Sequence, residues 1–166
     1  MCLNFSNTVS WNQGGLRDER LASYSDLISW TQEASLLTKW KAKALLEKAS
    51  HEPSKAATAL ERAIKFRANI HSIFSAVVHD RPVDPRHLQA FNSELAKSLT
   101  RLQIALEGTG FGWSWPDGKN DLELVLWPVA WSAAQLLTSE VLAKVRDCAN
   151  ANCGWLFLDT SRIGNR

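Results

Sequence analysis

Two cysteines near the carboxyl end, Cys148 and Cys153, bracket the loop Ala149-Asn150-Ala151-Asn152, and Gly154 follows directly. A loop of this length turns two sulfurs toward one point. Two thiolates then supply half of the four ligands that a tetrahedral structural zinc takes, and a glycine just behind relieves crowding. Two unreactive thiols packed as small hydrophobes fit the same spacing, so spacing alone leaves the two readings level. Lys144, Arg146, Arg162 and Arg166 gather around the pair, only partly offset by Asp147 and Asp159.

A second candidate lies mid-chain. Leu60, Ala63, Ile64, Ile70, Phe74, Val77 and Val78 make one apolar seam at helical spacing, and Arg67 and His71 fall within it. A guanidinium facing a core keeps its proton, so it needs carboxylate, amide or carbonyl partners. An internally paired arginine that orders the core meets that need. So does an anion-binding pocket in which Arg67 and His71 sit beneath the amino-terminal segment around Asn7 and an aromatic hairpin carrying Trp113 and Trp115.

Other chemistry is thin. His51, His71, His79 and His87 have no HxxxH or HExxH spacing. There is no phosphate loop, no nucleophile elbow and no paired-carboxylate site, so an enzyme is not expected. Gly108-Thr109-Gly110-Phe111-Gly112 is glycine-rich but lacks the strand–loop–helix setting of a dinucleotide fingerprint, and reads as turn chemistry. A formal net charge of +2 is too mild to declare nucleic-acid binding. No signal peptide opens the chain and no apolar run approaches the ~20 residues of a membrane span, so no membrane partner is expected. Three cysteines without a secretory context point to a reducing cytoplasm.

The elements that must position these groups follow from periodicity. Residues 2–9 alternate apolar and polar, which predicts a short strand or extended segment. Helices are predicted from Ser25, as N-cap, through Leu36; from about Lys39 to Ser50; from about Ser54 to His79; and from Pro85 to about Thr100. Residues 102–107 and 111–115 alternate on either side of Gly108-Thr109-Gly110 and predict a hairpin. Residues 121–138 are apolar almost all round and predict a central helix that Pro128 kinks or delays. Its stripe of Leu124, Trp127, Trp131 and Ala134 suits core packing or a homodimer contact. Val145 to Asp159 predicts two short strands joined by the cysteine loop. The class is α+β, mainly α: a helical unit over 1–142, with a small hairpin, and a cysteine-bearing segment over 143–166.

Cys148-x4-Cys153-Gly-Trp-Leu-Phe-Leu-Asp-Thr-Ser-Arg162 resembles the first half of the CGNR-type zinc finger, in which a second cysteine pair completes a four-cysteine site. Leu3-Asn4-Phe5-Ser6-Asn7-Thr8, Leu21 to Leu27, Leu126-Trp127-Pro128-Val129-Ala130 and Leu136 to Ser139 resemble the associated ABATE domain, as does the arginine at Arg67. Asn4 stands where that family carries Asp, which weakens any charge pairing with Arg67. The chain stops at Arg166, before the second cysteine pair.

The resemblance implies a bacterial, cytoplasmic, stress-responsive transcription regulator. Its helical domain would sense a small-molecule effector or dimerise, and its finger would bind zinc and DNA. Cys148 and Cys153 would be the metal ligands, and Lys144, Arg146, Arg162 and Arg166 would contact phosphates. The rival reading is a protein that binds a small anionic ligand at Asn7, Arg67, His71 and Trp113, the finger being only structural.

Overall fold

The computed structural model describes residues 1–11, 18–115, 121–150 and 153–161. The basic residues Arg162 and Arg166 lie outside the described residues. Six α-helices, one 3₁₀ turn and two separate two-stranded antiparallel hairpins make up the described chain.

The first element departs from expectation. Cys2–Ser6 is a single helical turn, α1, and only Val9 is extended, bridging Glu19. Cys2, Leu3, Phe5 and Ser6 are all buried, and that set falls on one side of a helix, not one face of a strand. Burial of Phe5 against Trp30, with ring centroids 4.9 Å apart, holds a turn too short to persist alone.

Helix α2 spans Tyr24–Glu33 and is capped by Ser23 rather than Ser25. Ser23 Oγ accepts from the Asp26 amide while Asp26 accepts from the Ser23 amide, a reciprocal capping box. Helix α3 spans Lys39–His51. Helix α4, Pro53–Val78, starts on a proline whose missing N–H costs nothing at that position. Helix α5, Pro85–Leu99, repeats the device, with the Asp84 carboxylate accepting from the Arg86 amide at 2.8 Å.

Helix α6 runs only from Leu126 to Leu137. Pro128 therefore sits in its first turn, where a proline is tolerated, and the preceding residues 122–125 form turns: the proline delays the helix without kinking it. Val129, Ala130 and Ala133 are fully buried, and Trp127 is core rather than surface. Phe66, Ile70 and Phe74 of α4 complete the centre. Arg62 of α4 ties the helices together, bonding the Glu94 carboxylate of α5 through Nε and Nη2 and Glu123 through Nη1.

Strands β1 (Gln103–Glu107) and β2 (Gly110–Ser114) form the expected hairpin. Gly108, at φ +60°, takes the first turn position, where an L side chain is disfavoured. The 3₁₀ turn Glu140–Lys144 leads into β3 (Val145–Asp147), which pairs with β4 (Leu156–Leu158). No helix among the described residues is long and apolar enough to cross a membrane.

Candidate metal loop and the cleft beside it

The loop between β3 and β4 carries Cys148 and Cys153. Both are reduced and half-buried. The Cys148 amide donates to Trp155 O (2.8 Å) and the Cys153 amide to Asn150 O (2.9 Å), folding the loop back on itself. The Cys148 thiol neighbours that of Cys153. Burial pushes the Cys153 thiol up, the neighbouring Cys148 raises it further, and a backbone bond at Trp155 opposes both. Metal binding here must therefore release protons.

Two convergent sulfurs fit two corners of a zinc tetrahedron. Among the described residues no group of three or more His, Cys, Asp or Glu side chains is placed to hold a metal ion. The donor set is a matching half.

What locks the loop is the helical domain, through contacts distant in sequence. Asn7, just past α1, pairs with Leu156 like a strand residue: its Nδ2 donates to Leu156 O (2.8 Å) and its Oδ1 accepts from the Leu156 amide (3.0 Å). His71 of α4 meets Gly154 O through Nε2 at 3.0 Å and stacks on Trp11, centroids 3.9 Å apart. The Trp11 amide donates to Cys153 O (2.9 Å), and Trp155 Nε1 donates to Val9 O (3.1 Å). Gly154 has φ +64°, and a Cβ there would stand 2.7 Å from Trp11 Cβ. Only glycine passes beneath that tryptophan.

Arg67 is 2% exposed and bonds Thr8 Oγ1 (2.9 Å) and both oxygens of Glu19, the pair reaching 2.5 Å. Its Nε has no partner among the described residues. Asn4 takes no part: its Oδ1 accepts from Trp30 Nε1 at 2.9 Å. The arginine therefore fastens Thr8 and Glu19 to α4, with its guanidinium buried.

Asn7, Arg67 and His71 gather where α4 meets the amino-terminal segment, but with Trp113 they do not line the one pocket expected. Trp113 sits on the β1–β2 hairpin with its ring 6.0 Å from Trp131. His71 is spent on Gly154 and Trp11, and burial pushes its pKa below the ordinary value. Asn7 alone of the four lines a cleft of about 1060 Å³ bounded by α1, α2, the end of α6 and β4. Thr8, Arg20, Trp30, Ser132 and Trp155 also line it, and the Arg20 guanidinium lies 5.2 Å from the Trp155 ring centroid.

Of the basic cluster, Lys144 and Arg146 flank the loop on a shallow depression of about 140 Å³ with Asp159, Thr160 and Ser161. Arg146 Nη1 is pinned on the Ala143 and Val145 carbonyls (2.8 Å each) while the side chain stays exposed. His79 lies 3.4 Å from Asp147 and ties α4 to β3.

The family model ABATE, described as "Putative stress-induced transcription regulator", matches residues 1–140. The chain belongs to the ABATE family. The CGNR zinc finger model matches residues 144–166, so the two matches meet at the 3₁₀ turn that leads into the cysteine hairpin. Both resemblances read from the sequence are thereby confirmed, and neither description is that of an enzyme. No curated protein matches the chain.

The residues that sequence reasoning missed are Trp11 and Glu19. Trp11 meets Cys153 and Glu19 meets Arg67 across stretches of chain that carry no shared period. A buried arginine does signal that some carboxylate must exist, without saying which.

Proposed function

We propose that this ABATE-family chain is a cytoplasmic, DNA-binding transcription regulator whose cysteine hairpin forms half of a zinc finger held rigidly against the sensing domain. The observation that carries this reading is the docking of the Cys148–Cys153 loop by Asn7, Trp11 and His71, which fixes the loop relative to the helices. Zinc, where bound, is held by the Cys148 and Cys153 thiolates as two of four ligands and serves as a structural staple. Lys144 and Arg146, on the rim of the same hairpin, meet phosphate oxygens. Arg162 and Arg166, outside the described residues, are assigned the same role from the sequence. Such contacts supply affinity and salt dependence but little base reading.

A second reading concerns the effector. The cleft of about 1060 Å³ is large enough for a drug-sized molecule, and β4 forms one of its walls. An occupant there touches Trp155 and Leu156, the residues whose backbones hold Cys148 and Asn7. This cleft, with Arg20 over Trp155, takes the place of the expected Arg67 pocket as the site for an anionic ligand.

Fluorescence anisotropy of a labelled duplex, titrated with zinc-loaded protein over a salt series, tests the regulator reading. Arg146→Ala and Lys144→Ala should each weaken binding uniformly across sequences and lower the salt slope by about 1. Binding at low salt that survives both substitutions and a chelator unchanged would sink it.

A further inference from the structure

The β1–β2 hairpin presents an apolar face that the described residues cover only at its root, where Trp113 meets Trp131. Its register sets Ile104 opposite Trp113 and Leu106 opposite Phe111. Cross-strand partners share a face, as do residues two apart on one strand, so these four large apolar side chains form one continuous surface. They are 55%, 56%, 72% and 80% exposed for Ile104, Trp113, Leu106 and Phe111 respectively. The remaining described partners, Gln103 with Ser114 and Ala105 with Gly112, are small or polar and occupy the other face. An ordinary surface hairpin has the opposite polarity, apolar face inward.

Among the described residues the hairpin is anchored at its base. Trp115 Nε1 donates to Ser98 O at 3.2 Å, and Trp113 reaches Trp131 of α6. Beyond that root a two-stranded ribbon is marginal in water. Covering its apolar face would stabilise it.

We propose that this face is a homodimer interface, in which the hairpins of two copies stack face to face across a two-fold axis. Three observations select a second copy of this chain as the occupant. Aromatic side chains carry roughly 150–250 Å² each, so four residues at these exposures present on the order of 500 Å² per copy. Two copies then bury about 1000 Å², the threshold for a specific interface. None of the four side chains is charged, so the surface meets its own image without like-charge repulsion, as an isologous contact requires. The surface is also a short two-stranded sheet, and a sheet face packs on another at about 10 Å spacing with side chains interdigitated. The proposal is independent of the DNA-binding reading, since it involves neither the cysteine loop nor its basic rim.

Sedimentation velocity on the full chain from about 1 to about 100 μM decides it, the range in which interfaces of this size resolve. The unmodified chain should approach twice the 18.5 kDa protomer mass. Phe111→Asp and Leu106→Asp should each raise the dissociation constant at least about tenfold, as central interface residues do, with far-UV circular dichroism unchanged. Trp40→Asp, at a 75% exposed tryptophan on α3, should leave association intact and controls for general surface hydrophobicity. An unmodified chain that stays monomeric throughout would overturn the proposal and leave the face to a different occupant. So would a dimer that persists in both hairpin variants, which would place the contact elsewhere on the surface.

Discussion

The two hairpins are alike in size and opposite in circumstance. β3–β4 has three residues per strand, yet Val145 and Leu156 are among the most buried residues in the protein. Its loop is gripped by Asn7, Trp11, His71 and the Val9 carbonyl. β1–β2 has five residues per strand and a full ladder, but four of its large side chains face solvent. Strand length and ladder completeness therefore do not rank how firmly a ribbon is held here. The shorter one is braced by side chains from elements far away in sequence, as befits a loop that must keep two sulfurs in register. Among the described residues the longer one is braced at its root.

Breaking the brace of β3–β4 is the strongest way to erase that contrast. Arg67→Ala leaves Glu19 and Thr8 without the buried cation that gathers them. It should cost about 3 kcal/mol, the lower end for removing one partner of a buried ion pair because Glu19 is part-exposed. That lowers Tm by roughly 10 °C for a domain of this size, measurable by calorimetry. Gly154→Ala forces a positive φ on alanine and a Cβ into Trp11, at about 2 kcal/mol. Hydrogen exchange should then accelerate over residues 145–158 and stay unchanged over 103–114. Acceleration in both hairpins alike would mean that they are not independently held.

Acidification probes the same brace more gently. Burial holds the His71 pKa below its ordinary value of 6.5, outweighing the Gly154 hydrogen bond and the Asp147 carboxylate that favour the charged ring. The unfolded chain therefore takes up the proton first, and the His71 contribution is fully present above about pH 6.5 and is lost as pH falls through the lower folded value. Denaturant midpoints between about pH 7.5 and 5 should fall with pH, and His71→Gln should flatten that slope. An equal slope in the variant would remove His71 from the account. The smallest effect belongs to the other hairpin: Phe111→Ser should change protomer stability by under about 0.5 kcal/mol in chemical denaturation at a concentration that keeps the chain monomeric.

Much of this arrangement was legible from periodicity and caps. Helices α3, α4 and α5 lie within a residue or two of expectation because proline, Asp84 and a sustained 3.6-residue seam act locally. The β1–β2 hairpin followed from alternation on either side of Gly108-Thr109-Gly110, although Gly110 belongs to the strand and pairs with Glu107, which leaves a two-residue turn. The start of α2 was placed at Ser25 because both serines precede the apolar run, whereas Ser23 holds the Asp26 partner three residues on. The α1 turn was misread as extended because eight residues are too few to separate a period of two from one of 3.6. The cleft was not legible at all, since its walls come from α1, α2, α6 and β4.

The sequence by itself determined the kinds of element from α2 onward, the cysteine spacing and the family, because propensity, capping and motif spacing are properties of neighbours along the chain. It also required that Arg67 be paired, since a buried guanidinium has no other recourse. Only the tertiary structure decided that Glu19 pairs it, that Asn7, Trp11 and His71 hold the cysteine loop, and which hairpin is left uncovered. Those outcomes depend on which surfaces meet once several helices compete for the same core, and no local period encodes that competition.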